Sequence, residues 1–325
     1  MEPRRAEEIV ARFSNLHVLV VGDLMLDHWV WGSVTRISPE APVPVVDVDR
    51  YTYTPGGAAN VVSNLRALGA RVSLVGAVGE DESGQRLRTI LDEQGVAVDG
   101  VLVDPDRPTT LKTRIIAHSQ QVVRADFERR TPLPEALLEQ SHQWLSERIT
   151  SFDGVFFSDY DKGLFRSPGS QKLLTTAAQR PTIAGPKPSN FEVFRGLGTI
   201  TLNALEASAA SGVETSSDEL VEQAGRLLLE RSGAQAVLVT RGEHGMTLFR
   251  QQQPSFTFPA LASQVFDVSG AGDTVLTLVG LCAAVAAEPE EAVAIASHAA
   301  AVVVRKVGTA TATPEEILRS ISKTW

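Results

Sequence analysis

The sequence predicts an α/β fold: a doubly wound, mainly parallel sheet with a small antiparallel β lid. Three observations point there. Short apolar, β-branched runs alternate with longer stretches of helical periodicity, the pattern of strands joined by crossover helices. Runs such as Val18-Leu19-Val20-Val21 are apolar throughout. That marks strands covered on both faces, hence a parallel sheet. Two other segments alternate apolar with polar residues, as half-covered antiparallel strands do.

Taken in order, the parallel strands are expected at His17–Val21, Val72–Val75, Gly154–Ser158, Ile200–Leu202 and Ala236–Thr240, each ending near Gly, Asp, Asn or Thr. A helix over Ala58–Leu68 puts Ala58, Val61, Val62, Leu65 and Leu68 on one stripe, with Gly69 placed to end it. Leu220–Arg231 is a second helix. The alternating segments are Val43–Tyr53, with no helix immediately after it, and Thr110–Phe127, two strands around a polar turn at His118–Gln120. They fit either a pair of surface hairpins or a lid over the mouth of the main sheet, where the carboxyl ends of the strands would place a site.

Composition narrows the function. The 325 residues are 43% hydrophobic and 21% charged, which excludes a disordered chain and leaves one large domain or two smaller ones. Thirty basic against 39 acidic residues give a net charge of −9, which argues against a general nucleic-acid binder but leaves a small anionic ligand open. The single cysteine, Cys282, excludes a disulfide framework and reads as a buried inert thiol. The charged N-terminus has no apolar signal segment, and Thr274–Ala287 and Ala292–Val304 are each too short to span a bilayer. A cytoplasmic protein without membrane or nucleic-acid partners is expected.

Three motifs carry chemistry. In Asp267–Thr274 (DVSGAGDT), the small residues Gly270, Ala271 and Gly272 let a ligand approach the backbone at the start of an apolar helix. Free amides and the helix dipole favour an anion there. A carboxylate beside an anion site opposes binding, so Asp273 makes sense as a base taking a proton from an attacking hydroxyl. In Pro55–Asn60 (PGGAAN), Gly56 and Gly57 again allow close approach, and Asn60 can donate to and accept from sugar hydroxyls, or merely sit at a helix start. In Gly22–Asp27 (GDLMLD), Asp27 lies just past the first strand, placed to accept from substrate hydroxyls or simply solvated. A P-loop, a G-x-G-x-x-G turn, a nucleophile elbow and an EF-hand are all missing, and the six histidines show no metal-ligand spacing.

PGGAAN and DVSGAGD, in that order, resemble the paired motifs of the ribokinase-like (PfkB-type) carbohydrate kinases, and the resemblance covers essentially the whole chain. Residues 22–27 (GDLMLD), 36–45 (RISPEAPVPV), 120–127 (QQVVRADF) and 158–163 (SDYDKG) resemble one branch, the D-glycero-β-D-manno-heptose-7-phosphate kinases of ADP-heptose and lipopolysaccharide core synthesis. That activity occurs alone or as the N-terminal half of a bifunctional protein; this chain ends about where the kinase half would, so a stand-alone kinase or an excised domain is expected.

The resemblance implies ATP- and Mg²⁺-dependent phosphorylation of an anomeric hydroxyl, with one kinase domain over 1–325 and lid segments near 28–54 and 110–127. By likeness Asp273 is the base, and Gly270, Ala271 and Gly272 form the anion hole. Asn203, Ala204, Leu205 and Glu206 match the family's N-x-x-E, with Glu206 acting on Mg²⁺ through water. Lys187, Thr240, Gly242 and Gly245 lie on the nucleotide side, and Val307–Thr313 near adenine. Asp27, Gly56, Gly57 and Asn60 match sugar-binding positions. Arg124 and Lys162, with Arg36 as a third, are candidates for the far phosphate of the sugar. A homodimer through the lid is also implied. One departure stands out: where the family has D-P-K-G, this chain has Gly185-Pro186-Lys187-Pro188. The alternatives are a kinase for another sugar or nucleoside, and a sugar-phosphate-binding protein without activity.

Overall fold

The computed structural model describes residues 1–118, 120–262, 265–306 and 308–324. Its strands are β1 (His17–Gly22), β2 (Leu24–Ile37), β3 (Pro44–Gly57), β4 (Arg71–Gly79), β5 (Ala97–Asp104), β6 (Thr110–Ala117), β7 (Gln120–Phe127), β8 (Gly154–Ser158), β9 (Thr182–Gly185), β10 (Thr199–Asn203), β11 (Ala236–Thr240), β12 (Met246–Arg250) and β13 (Phe256–Phe258). The helices are α1 (Pro3–Val10), α2 (Ala58–Ala67), α3 (Glu82–Glu93), α4 (Glu135–Arg148), α5 (Ser170–Ala177), α6 (Ala204–Ser211), α7 (Asp218–Ser232), α8 (Ala271–Ala284), α9 (Pro289–Val303) and α10 (Pro314–Thr324). Among the described residues, ten α-helices and thirteen strands in this alternation make the α/β class expected from the sequence.

The large sheet has the order β13-β12-β11-β10-β9-β8-β1-β4-β5 and is parallel except for β12 and β13. All five expected strands are in it. Successive residues of one strand face opposite helix layers, which is why the runs carry no polar positions. Val18 and Val20 join α2, α8 and α9 in one core, while Leu19 and Val21 join α4, α5 and α7 in the other. From β1 the chain builds towards β4 and β5, then returns to lay β8 on the other side of β1. The strand order therefore reverses between β1 and β8, where an open α/β sheet forms its crevice. Gly22 makes that junction possible, since a Cβ there would lie 2.3 Å from the Ser158 carbonyl oxygen.

The second sheet has the order β3-β2-β6-β7. Its two hairpins are antiparallel, and β2 and β6 join them side by side in parallel. One face carries Asp27, Trp29, Arg114 and Arg124; the other carries Val30, Val46, Val48, Ile115 and Val123 around an apolar groove of about 530 Å³. Two expected boundaries shift. The strand starting near Val43 runs on to Gly57 and passes directly into α2, so a helix does follow it. The first lid strand starts at Leu24, not near residue 28. Cys282 is fully buried, and that burial pushes its thiol pKa up. No helix among the described residues is long and apolar enough to cross a membrane.

Candidate active site

The turn before α8 is tied down by Asp267. One of its oxygens accepts from the Ser269 amide (2.8 Å) and the other from the Gly308 amide (2.9 Å). Gly270 is the N-cap of α8 at φ 79°, a conformation glycine adopts without strain. No side chain caps this end, so first-turn amides remain for a ligand. Of the expected anion-hole residues, Ala271 turns its amide back onto the Val268 oxygen (3.2 Å), leaving those of Gly270 and Gly272, with the Asp273 amide beside them.

Asp273 sits in that first turn, 9% exposed. Its Oδ2 accepts from Asn60 Nδ2 at 2.6 Å, and the Tyr160 hydroxyl donates to Oδ1 and Oδ2 at 2.8 and 3.0 Å. Asn60 reaches it because α2 is latched to α8: the Thr274 hydroxyl donates to Asn64 Oδ1 (2.9 Å), and Asn64 donates back to the Asn60 carbonyl (2.9 Å). Burial pushes the Asp273 carboxyl up to about 6, against the pull of the two hydrogen bonds and of Lys187. Asp273 is thus ionised above pH 6 yet basic enough to accept a proton.

Two cavities meet beside it and share Asn203, Thr240 and Gly272. The smaller, about 190 Å³, is lined by Asp273, Asp159, Lys187 and Glu206. Lys187 ion-pairs with Glu206, and Asn203 and Glu206 form a reciprocal cap at the start of α6. The larger, about 530 Å³, is mostly apolar, with Val265, Ala300 and Val304 in its wall beside Ala204, Leu205, Gly242 and Gly245. It also holds the Ser297 hydroxyl, a buried oxygen without a hydrogen-bond partner among the described residues. Asn203, Ala204, Leu205, Glu206, Lys187, Thr240, Gly242 and Gly245, all expected on the nucleotide side, each line one cavity or the other. Val307 lies outside the described residues; Thr309 and Thr311, expected near the same ligand, line a separate groove with Thr54 and Arg66.

Gly185 faces the smaller cavity, and a Cβ there would lie 2.8 Å from the Leu276 Cδ1 methyl. Leu276 therefore occupies space next to the position where relatives were expected to carry an aspartate. Acidic groups remain in Asp159 and Glu206. No group of three metal-ligating side chains exists among the described residues. Oxygen donors in ones and twos suit a hydrated Mg²⁺ held mainly by phosphates.

On the lid side, Asp27 is buried and takes a hydrogen-bonded ion pair from Arg114 (2.7 Å), whose guanidinium also stacks 4.7 Å over Trp29. Gly56 packs against that carboxylate, and Gly57 against the Asp23 carbonyl. Arg124 stands opposite Arg114 on β7 and pairs with Asp126 at 3.0 Å, its side chain half exposed. Lys162 is not a free cation: it is buried and 2.8 Å from Glu128. Glu128 also meets Lys112 and Arg130 at 3.4 and 2.7 Å. Burial opposes its charge, but these cations win and hold its carboxyl down to about 2. Arg36 is exposed and nine residues beyond Asp27 on β2, roughly 30 Å along the strand. Within one copy of the chain it does not reach a small ligand held at Asp27, contrary to its expected place beside the far phosphate. Arg114, Tyr160 and Glu128 also stand here, and no local motif singles them out, although Tyr160 lies inside SDYDKG.

A crevice at the sheet's switch point, an uncapped helix start and a buried carboxylate beside two joined cavities make an α/β site suited to a small anionic ligand. Comparison places it further. Residues 15–316 match the pfkB family carbohydrate kinases, and the chain belongs to that family, whose members are phosphotransferases with an alcohol acceptor. It is 42% identical to the bifunctional protein HldE of Trichlorobacter lovleyi over 99% of this chain and 66% of that one. Against the protein of the same name from Desulfatibacillum aliphaticivorans it is 44% identical over 95% and 63%. The chain thus spans slightly less than two thirds of those relatives' length. In fold it is similar to Arabidopsis thaliana ribokinase complexed with ribose and ATP, at TM-score 0.73 and 20% identity, covering 94% of this chain and 98% of that one. Escherichia coli phosphofructokinase-2 gives TM-score 0.76 at 17% identity over 95% and 99%.

Proposed function

We propose that the chain, as one kinase domain with a lid, transfers the γ-phosphoryl group of ATP to the anomeric hydroxyl of D-glycero-β-D-manno-heptose 7-phosphate, giving the 1,7-bisphosphate. The observation that carries the reading is Asp273, held by Asn60 and Tyr160 where the α8 start opens onto the phosphate-sized cavity. Relatives named HldE and the heptose-branch motifs support the choice of sugar.

In this reading the apolar cavity takes the base, with the Ser297 hydroxyl as its polar contact. Lys187 and the amides of Gly272 and Asp273 meet the phosphates. Glu206 and Asp159 would hold Mg²⁺ through its waters, and the ion would spread charge on the transferring group. Asn60, Asp27, Gly56 and Gly57 shape the sugar side, and Arg124 with its neighbour Arg114 supplies positive charge towards the far phosphate. The sugar hydroxyl gives its proton to Asp273. Its oxygen forms the bond to the γ-phosphorus as the bond to the bridging oxygen of ADP breaks. Closing the lid sheet over the sugar excludes water that would otherwise take the phosphoryl group.

A panel of sugars and sugar phosphates with Mg·ATP tests this. Turnover of heptose 7-phosphate should exceed that of ribose or fructose at least about 10³-fold in kcat/KM, since a neutral sugar lacks the charge-assisted contacts that a phosphate would make with Arg124 and Arg114. Faster turnover of ribose or fructose would sink the heptose reading. Gly185 favours a second reading, a binding protein without turnover. Calorimetric heptose-phosphate binding with no ADP formed at any Mg²⁺ concentration would establish it instead.

The lid also carries the proposed homodimer. Val48, Val122 and Val123 are about half exposed around the apolar groove, a contiguous apolar patch of the kind that marks an interface. Light scattering should give twice the chain mass, falling to one in Val48→Lys/Val123→Lys. A monomeric starting protein would refute it.

A further inference from the structure

Residues 159–164 follow β8 at the switch point, and two buried carboxylates hold them in place. Asp23, just past β1, accepts from the amides of Tyr160 (2.9 Å), Lys162 (3.0 Å) and Leu164 (3.3 Å). Asp159 accepts from the amides of Asp161 and Lys187 (both 2.8 Å) and from the Asn190 side chain (3.0 and 3.1 Å). These bonds fix the loop backbone, and with it the ring of Tyr160. That ring lies between the two halves of the site. Its hydroxyl meets Asp273, and the Lys187 ammonium sits 5.0 Å from its centroid.

We propose that Tyr160 is a positioning residue for phosphoryl transfer, its phenol orienting the Asp273 carboxylate and favouring its charged form. This rests on the reading of Asp273 as the base. The Asn60 amide takes Oδ2 at 2.6 Å, while among the described residues Oδ1 is met by the phenol alone. With two donors on Oδ2 and one on Oδ1, Oδ1 keeps more acceptor capacity for an incoming hydroxyl. A phenol donates to a carboxylate more strongly than to a carboxylic acid, so it favours the ionised form. The other charges around Asp273 are Lys187 beyond β9, which also favours ionisation, and Asp27 on β2, which opposes it and is itself paired with Arg114. Beyond burial, Glu206 on α6 pushes the phenol pKa up, and with Asp159 it lines the cavity that Asp273 faces. Tyr160 is therefore a direct hydrogen-bonding lever on the base that leaves the phosphate-binding groups in place.

The test compares the full chain with Tyr160→Phe and Asp273→Asn. Asp273 is titrated by carboxyl ¹³C NMR without ligands, its signal assigned by its loss in Asp273→Asn, and pH profiles are then measured. Losing one hydrogen bond to a carboxylate should raise the Asp273 midpoint by about one pH unit. The acid limb of kcat/KM should move up equally, with KM for ATP within about twofold and activity largely recovered at high pH. A folded Tyr160→Phe protein with midpoint and acid limb unmoved overturns the proposal, since a merely structural role would leave both alone. A midpoint that moves while the acid limb stays overturns the base assignment instead, as does an Asp273→Asn protein that keeps its turnover.

Discussion

Asp273→Asn should lower kcat by about 10³-fold and change KM for ATP by less than threefold. The size follows from what a positioned base contributes, typically 10²–10⁴-fold. Asparagine keeps the shape and can still accept from Asn60 or Tyr160, so the architecture survives while the proton acceptor is lost. The split follows from placement. Lys187 and the α8 amides, which are to meet the phosphates, are unchanged, and an interaction that matters only as the hydroxyl loses its proton appears in kcat. Steady-state kinetics with ATP and sugar varied separately would show it. A variant keeping more than a tenth of its turnover would remove Asp273 from the mechanism.

Stability should move the other way. The folded carboxyl titrates at about 6 against an ordinary 3.8, because burial penalises its charge. A carboxyl whose folded pKa is raised makes the protein lose stability as pH rises between the two values. Above pH 6 the native protein bears that full penalty, and the asparagine variant does not. Asp273→Asn should therefore unfold later at pH 8, by up to about 3 kcal/mol, and the advantage should vanish near pH 4. A variant more stable and nearly inactive is the signature of a functional carboxylate, and urea titrations at the two pH values measure it.

The sequence already contained the parts of the fold that follow from local pattern. β1, β8 and β11 are short, apolar on both faces and flanked by turn residues, so their period and burial agree. β9 (TIAG) is too short to show a period. β5 carries Asp and Gly inside it, and β12 and β13 form a hairpin at the sheet edge, where mixed polarity is tolerated. β2 was hidden for another reason. Its inner end is buried beside the main sheet and its outer end is exposed, so its 14 residues change pattern midway.

The site divides along the same line. Asp273, Asn60 and Glu206 sit in motifs whose local chemistry is legible. The Tyr160–Asp273 bond joins residues 113 apart, and the Arg114–Asp27 pair residues 87 apart, distances over which no periodicity carries information. Lys162 shows the converse failure. As a cation in a motif it looked free, and only the fold reveals Glu128 beside it.

The paired substitutions Gly270→Ala and Gly272→Ala should separate the fold of the α8 start from its use. Both glycines belong to the GAG run, yet their surroundings differ. A Cβ on Gly270 would lie 2.9 Å from Asn60 Nδ2 on a backbone at φ 79°. Left-handed backbone costs an alanine about 1–2 kcal/mol, and Asn60 must also withdraw from Asp273 to make room. Gly270→Ala should thus lose both stability and turnover. A Cβ on Gly272 meets no atom within 4 Å, and the residue is already helical. Alanine there raises helix propensity by up to about 1 kcal/mol, so Gly272→Ala should melt no earlier than the native protein. Its methyl group, however, projects towards the space where the two cavities join, where a phosphate must approach the first-turn amides. Losing one such donor typically costs 10²–10³-fold in kcat. Gly272→Ala should therefore combine native or higher stability with a rate loss of about 10²-fold and weaker ATP binding, read by calorimetry and coupled ADP release. Native ATP affinity and turnover in Gly272→Ala would mean that the phosphates bind elsewhere, and the α8 start would then be only the glycine-rich beginning of a buried helix.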